Sequence, residues 1–357
     1  MKRILITGAG GAPSTNFVRS LRSASEKFYL VGCDANPYYL MRAETDARYL
    51  VPTVHDKNFL PLIKNIIRTE RIEFIHIQND DEIGWFSKYR NRIPAKLFLP
   101  DQKTITICQN KFQSYLKWKK ANLRIPKTFP IKTPADLKAA FKKLGSSLWL
   151  RSTTGAAGRG SMPTDNFKSA KAWIDFHKGW GEFTAAERLT DMSITWMSLW
   201  HKGKLIVAQG RKRLYWEMAK VAASGITGVT GGGETVDDPS LDTIAIAAIS
   251  AIDKKPHGLF GVDLTYDKNG IPNPTEINIG RFFTTHLFFT QAGINMPHIY
   301  VQLAFGQKPN LPKKRINPIP PGRIWIRGVD FLPVLTDRST IEKHKKNLET
   351  RIKLQTP

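Results

Sequence analysis

GVDLTYDKNGIPNPTEINIGR, residues 261–281, decides how the rest of this 357-residue chain is read. Its residues alternate as in two strands, expected over 259–266 and 274–279 and joined through Asp267-Lys268-Asn269-Gly270. Asn-Gly between alternating segments is the strongest short hairpin signal. Side chains alternate faces along a strand, so Glu276 and Asn278 point the same way. With Asn269-Gly270 as a two-residue loop, Asp263 falls opposite Glu276, and a four-residue loop keeps it on the same face. Two carboxylates and an amide then converge. Hard oxygen ligands of this kind suit Mg²⁺, with water and phosphate oxygens in the remaining positions. Ions so held neutralise charge during phosphoryl transfer. A hairpin with a polar wet side is the plain alternative, and the flanking sequence weighs against it.

Upstream, KRILITG at residues 2–8 has a buried-strand pattern, followed by AGGAPSTN and an amphipathic helix to about Ser23. A second strand at 29–34 ends in Asp34. This is the layout of a dinucleotide-binding βαβ unit. Its glycines are incomplete: GxGxxG from Gly8 meets Pro13 where the third glycine belongs, and TGxxGxxG from Thr7 meets Ser14. The fold signal survives, but an NAD site does not follow from it. Further elements are expected as a strand at 49–51, a helix at 59–68, a strand at 74–78, a helix at 85–92 and a strand at 96–99. Such alternation predicts a parallel sheet with helices on both faces. Asn79-Asp80-Asp81-Glu82 follows a strand end, where α/β proteins bind ligands. The tetrad reads equally as a helix cap with acids at the positive end of the dipole.

From about residue 101 the pattern changes. Asn110-Lys111 opens a helix at 112–121, and the apolar strand 147–151 delivers Arg151. A cation there needs an anionic partner, either a phosphate or a structural carboxylate. Ser152 to Ser161 reads STTGAAGRGS, small residues that bring backbone N–H groups close to phosphate and can move as a lid. It is not GxxxxGK[ST], which disfavours a P-loop fold. FTAAERL at 183–189 is an apolar strand ending in Glu187. Strands at 194–200 and 204–209 follow, then Arg211-Lys212-Arg213, which reads as a strand face turned to a ligand or as a solvated edge. After the glycine-rich run 225–233, a helix at 242–252 leads to the hairpin. His286 reads as a packed histidine, and the tail carries a strand at 324–329 and a basic helical end.

Together these stretches resemble the ATP-grasp fold, in the branch of the carbamoyl-phosphate synthase large subunit. That branch has an acid or amide on one strand, Glu-x-Asn about a dozen residues later, then Arg. The resemblance implies Asp263, Glu276 and Asn278 as metal ligands and Arg281 as a catalytic cation, with both Ile279 and Gly280 standing where the family has one residue. LRIPKT after the 112–121 helix resembles the family's DK-helix-GIPxP stretch, which implies that Lys111 reaches the nucleotide phosphates; local sequence reads it equally as a solvated lysine. The glycine-rich loop resembles the family's phosphate loop, preceded in this branch by an arginine, here Arg151, with Gly155, Gly158 and Gly160 against the phosphates. Glu187, Arg188 and Leu189 take the place of the hinge that reads adenine, while the ribose-binding acid is displaced to Asp191 or missing. GCDANP, QNDDE and LPDQKTITICQNK resemble the domain that precedes this fold and binds no dinucleotide.

The implied architecture is α/β and α+β: a Rossmann-like pre-ATP-grasp domain at 1–100, a two-lobed ATP-grasp domain at 101–307 and a tail at 308–357. The nucleotide lobe would run from about 101 to 186 and the metal lobe from about 187 to 307. The implied activity is an ATP-dependent carboxylate–amine ligase working through an acyl phosphate, with ATP and Mg²⁺ or Mn²⁺ as cofactors.

Composition frames this reading. With 41% hydrophobic and 24% charged residues the chain has the make-up of a soluble globular protein. Its 54 Lys plus Arg against 30 Asp plus Glu give a net charge of +24. The basic residues are scattered and no nucleic-acid motif accompanies them, so small anionic substrates are the expected partners and nucleic acid is not. The apolar run 243–252 is too short to span a bilayer, the N-terminus lacks a signal-peptide pattern, and Cys33 and Cys108 sit outside any metal or disulfide pattern. A cytoplasmic protein, monomeric or homo-oligomeric, is expected. Two rival classes stand beside the ligase. An NAD-dependent reductase or epimerase would use ILITGAGG, but no clear Tyr-x-x-x-Lys accompanies it; a non-catalytic anion or nucleic-acid binder would use the charge alone.

Overall fold

The computed structural model describes residues 1–155, 158, 160–222, 224–328 and 337–354. The expected phosphate loop lies partly outside these, at Ala156, Ala157 and Arg159, and the expected tail strand ends outside them at Val329. No helix among the described residues is long and apolar enough to cross a membrane.

The N-terminal part alternates β1 (Lys2–Thr7), α1 (Ala12–Arg22), β2 (Phe28–Asp34), α2 (Pro37–Met41), β3 (Ala47–Leu50), α3 (Phe59–Thr69), β4 (Phe74–His76) and α4 (Asp80–Lys88). The strands form a parallel sheet in the order β3-β2-β1-β4. Residues 4–7 of β1 are buried, as a strand covered on both faces requires. The strand expected at 96–99 is reduced to a bridge between Phe74 and Lys96. The helix expected from residue 85 begins at Asp80, because the Asn79 side chain accepts the Asp81 N–H and caps it.

Two helices, α5 (Gln102–Gln109) and α6 (Lys111–Lys120), lead into a second sheet of β5 (Thr128–Ile131), β6 (Leu148–Ser152), β7 (Met162–Thr164) and β8 (Phe183–Glu187), interleaved with α7 (Pro134–Leu144) and α8 (Phe167–Phe176). Its order is β5-β8-β6-β7, all antiparallel, over a small core of its own. The third sheet comprises β9 (Ser193–His201), β10 (Lys204–Trp216), β11 (Thr230–Val236), then after α9 (Pro239–Ile252) the hairpin β12 (Gly258–Tyr266) and β13 (Pro272–Ile279). After α10 (His286–Gln291) and α11 (Met296–Ala304), β14 (Ile324–Ile326) closes the order β13-β12-β9-β10-β11-β14.

The end of the glycine-rich run, residues 230–233, is therefore strand. Bare glycines leave room for neighbours: a Cβ on Gly231 would lie 2.1 Å from the Tyr215 ring and one on Gly233 2.7 Å from Arg211 Cδ. The first and third sheets share continuous cores, one running from Leu5 and Ile75 through Trp118 to Phe260 and Ile279. Trp118 Nε1 donates to the Ala248 carbonyl at 3.0 Å and ties α6 to α9. A last helix, α12 (Arg338–Lys353), returns to the N-terminal sheet, where Ile341 packs with Leu40, Met41 and Leu50.

Candidate active site

The hairpin turn closes with Asp267 N–H on the Ile271 carbonyl at 2.9 Å and Gly270 N–H on the Asp267 carbonyl at 3.0 Å. The loop thus has three residues, 268–270, with Gly270 supplying the left-handed position at φ +72°. An odd loop would put Asp263 and Glu276 out of step. The register shift between Asp263 and Leu264 corrects this: Leu264 pairs with Pro274, Asp263 with Glu276 and Gly261 with Asn278, so Thr275 is the extra residue. The Thr275 carbonyl accepts Arg151 Nη2 at 2.7 Å, so the bulge also anchors the cation of β6.

Asp263 and Glu276 face each other from partly buried positions. Thr195 Oγ1 donates to Asp263 Oδ1 at 2.5 Å and Asn278 Nδ2 to Oδ2 at 2.9 Å. Burial and the Glu276 charge raise the Asp263 pKa, against the pull of Arg213, the Thr195 bond and Arg211. Burial pushes Glu276 up as well, but Lys111 and Arg151, with Asp263 and Arg281, outweigh it and bring Glu276 below its ordinary value. The pair is therefore unequal, with Asp263 shifted up and Glu276 shifted down.

Cations surround it. Lys111 opens α6, whose end is capped by Asn110, and its Nζ lies 3.6 Å from Glu276 Oε2 while donating to the Gly155 carbonyl at 2.6 Å. Burial lowers the Lys111 pKa and Glu276 opposes this. Arg281 follows Gly280, which adopts φ +73° and would bring a Cβ within 3.2 Å of Ile83 and Leu99. That left-handed step accommodates the additional residue before the arginine. Arg281 Nη2 donates to Asn278 Oδ1 at 2.7 Å. On β10, Arg211 is 1% exposed, donates Nη2 to Thr195 Oγ1 at 3.0 Å and lies 5.1 Å from the Phe283 ring. Burial, with Arg213 beside it, lowers the Arg211 pKa to about 9. The solvated-edge reading of these arginines does not hold, because β11 covers Arg211 and Arg213 donates to Thr230 and Thr195.

These groups line one cleft of about 680 Å³, with Lys111, Gly155, Gly158, Thr195, Arg211, Arg213, Asp263, Glu276, Asn278 and Arg281 on its walls. Gly158 meets the Ile226 carbonyl so closely that a Cβ would lie 2.6 Å away, so the glycine loop touches the loop before β11. Gly160 packs on Ser152 and Phe183, and Arg151 stands behind the hairpin. Glu187, Arg188 and Leu189 join β8 to β9 but are not among the residues lining the cleft. Thr195, one of three hydroxyl residues in a largely apolar strand, gave no sequence signal.

Among the described residues no three or more His, Cys, Asp or Glu side chains gather as a metal site. Two buried carboxylates with hard oxygens suit a divalent ion that takes its other ligands from phosphate and water. Asn278 offers its NH₂ to Asp263 and one lone pair of its oxygen to Arg281, which leaves the second lone pair of that oxygen for an ion.

The N-terminal glycine turn also borders the cleft, through Gly8, Gly11, Pro13 and Asp34. A Cβ on Gly10 would lie 1.8 Å from the Tyr39 carbonyl oxygen, so the chain itself occupies the space beside this glycine. The Asp34 carboxylate accepts the Gly10 and Asn36 N–H groups at 3.1 and 2.9 Å and so fixes this turn. The geometry does not support the NAD reading.

The fold matches solved structures. Biotin carboxylase from Campylobacter jejuni, in complex with β-γ-ATP, aligns with TM-score 0.68 and 16% identity, covering 87% of this chain and 72% of that one. Carboxyaminoimidazole ribonucleotide synthase from Aspergillus clavatus, complexed with ATP, gives 0.65 and 14% over 88% and 79%. L-amino acid ligase from Bacillus licheniformis gives 0.65 and 13% over 85% and 74%. These are ATP-grasp structures, and the fold of this chain is theirs. No protein-family model and no curated protein matches the sequence.

Proposed function

We infer that this chain, an ATP-grasp fold, is an ATP-dependent ligase that joins a carboxylate to an amine through an acyl phosphate. The observation that carries this reading is the facing pair Asp263 and Glu276, set in one cleft with Lys111, the glycine loop and Arg281. Mg²⁺ held by the two carboxylates, with Asn278 as a third ligand, would neutralise the triphosphate; Mn²⁺ would serve in its place. Lys111 and the N–H groups of Gly155 and Gly158 would hold the phosphates; Arg151, Gly160, Glu187, Arg188 and Leu189, the rest of the nucleotide set that the resemblance implies, lie outside the lining of the cleft. A substrate carboxylate oxygen bonds to the γ-phosphorus as its bond to the bridging oxygen of ADP breaks. Arg281 would face the charge that develops, with Arg151 behind the hairpin fixing the Thr275 carbonyl. The amine then bonds to the acyl carbon, inorganic phosphate leaves, and the amine proton passes to solvent.

The division into 1–100, 101–307 and 308–357 follows the same reading, with lobes meeting near residue 187. Small anionic substrates fit the arginines of β10. Two buried free thiols, Cys33 and Cys108, agree with a cytoplasmic setting.

Hydroxylamine trapping tests the chemistry. With Mg-ATP and a panel of carboxylic acids, one acid should give hydroxamate and ADP in equal amounts. AMP and pyrophosphate in place of ADP would show adenylation and overturn the acyl-phosphate route; no acid-dependent nucleotide cleavage at all would overturn the ligase reading.

A further inference from the structure

Asp80 has no part in the chemistry above, yet it makes the closest contact that the N-terminal sheet has with the reacting side of the cleft. It is the first residue of α4, at the end of the β4 strand, and its backbone carbonyl is fixed by Gln109 Nε2 at 2.6 Å. Its carboxylate accepts Arg281 Nε at 2.6 Å and Nη2 at 3.1 Å, a two-pronged pair with side-chain exposures of 31% and 17%. Nη2 also serves Asn278 Oδ1. Both donors on one edge of the guanidinium are thereby used, and no bond to Nη1 is seen among the described residues. A planar fork held along one edge by two acceptors cannot rotate, so the remaining donor has a fixed direction.

Neighbouring bonds hold the following segment in the same way. Gln78 Nε2 donates to the Phe282 carbonyl at 2.7 Å and Asn16 Nδ2 to the Thr284 carbonyl at 2.8 Å. Residues 281–284 are thus pinned to the ends of the N-terminal strands and helices. We propose that Asp80 is a positioning residue: it aims Arg281 Nη1 at the anion formed during phosphoryl transfer, and the N-terminal sheet, whose glycine turn is closed to dinucleotide, serves as the brace for that arginine. This rests on the ligase reading.

The test uses the full chain as wild type, Asp80→Asn, Asp80→Glu, Arg281→Lys and the double variant Asp80→Asn/Arg281→Lys. Each is titrated calorimetrically with Mg-ATP, and with inorganic phosphate after saturation with Mg-ADP. Asp80→Asn should bind Mg-ATP within about twofold of wild type, which also reports that it folds, but phosphate about tenfold more weakly. Asp80→Glu should recover most of that loss. The double variant should be no weaker toward phosphate than Arg281→Lys alone, because Asp80 acts through Arg281. Phosphate binding that is absent in wild type, equal to wild type in Asp80→Asn, or further weakened in the double variant overturns the positioning role. Failure of wild type to bind Mg-ATP overturns the ligase reading instead, and is separable because it does not depend on Asp80.

Discussion

Asp263 sets the pH behaviour of the site. Burial and Glu276 raise its pKa, so protons compete with a divalent ion at a higher pH than they would at an ordinary aspartate. The sign follows directly: protons compete with metal below the raised pKa, and Mg-ATP affinity climbs as pH rises through it. Calorimetry in two buffers of different ionisation enthalpy should record proton release on Mg-ATP binding in wild type and its loss in Asp263→Asn. Equal, pH-independent binding by both proteins would contradict the arrangement. At this scale the sequence carried the shared face of Asp263, Glu276 and Asn278, because strand alternation is local. Burial of Arg211 was not legible, since it depends on β11 and Phe283, which are distant in the chain. The same holds for Glu187, Arg188 and Leu189: resemblance put them in the nucleotide site, whereas whether they line the cleft depends on how two sheets meet.

The hairpin shows how elements resolve what single residues leave open. Asn269-Gly270 suggested an even loop; the chain makes an odd one and restores the face with a bulge at Thr275. The bulge is invisible in sequence because Pro274 and Thr275 fit a plain strand end as well. Gly280 makes the corresponding correction before Arg281. Gly280→Ala, at φ +73° and against Ile83 and Leu99, should cost about 1–3 kcal/mol in denaturant unfolding and weaken phosphate binding with Mg-ADP. An Ala variant as stable as wild type would mean that the backbone does not take this step. Elsewhere α7 carries a readable start signal, the Thr133–Asp136 capping box. β11 carries none, since a run of glycines reads as loop until the side chains that fill its empty places are known.

Over the whole molecule, alternation of strands and helices and the order of motifs sufficed for the fold class, because both survive at 13–16% identity to the solved structures. The contacts that join the parts were not legible: Trp118 on α9, Arg281 on Asp80, and the tail strand β14 on β11 all link residues far apart in sequence. The +24 charge does not gather in the cleft, whose walls carry Lys111, Arg211, Arg213 and Arg281 beside the carboxylates of Asp34, Asp80, Asp81, Asp263 and Glu276. The central claim is that this cleft binds a metal nucleotide through the hairpin. Calorimetric titration of wild type and Glu276→Ala with ATP, with and without Mg²⁺, and with NAD⁺ tests it most directly. ATP should bind wild type in a Mg²⁺-dependent way and Glu276→Ala at least about tenfold more weakly, and NAD⁺ should give no response. NAD⁺ binding with ATP silent, or ATP binding indifferent to both Mg²⁺ and Glu276, would contradict it.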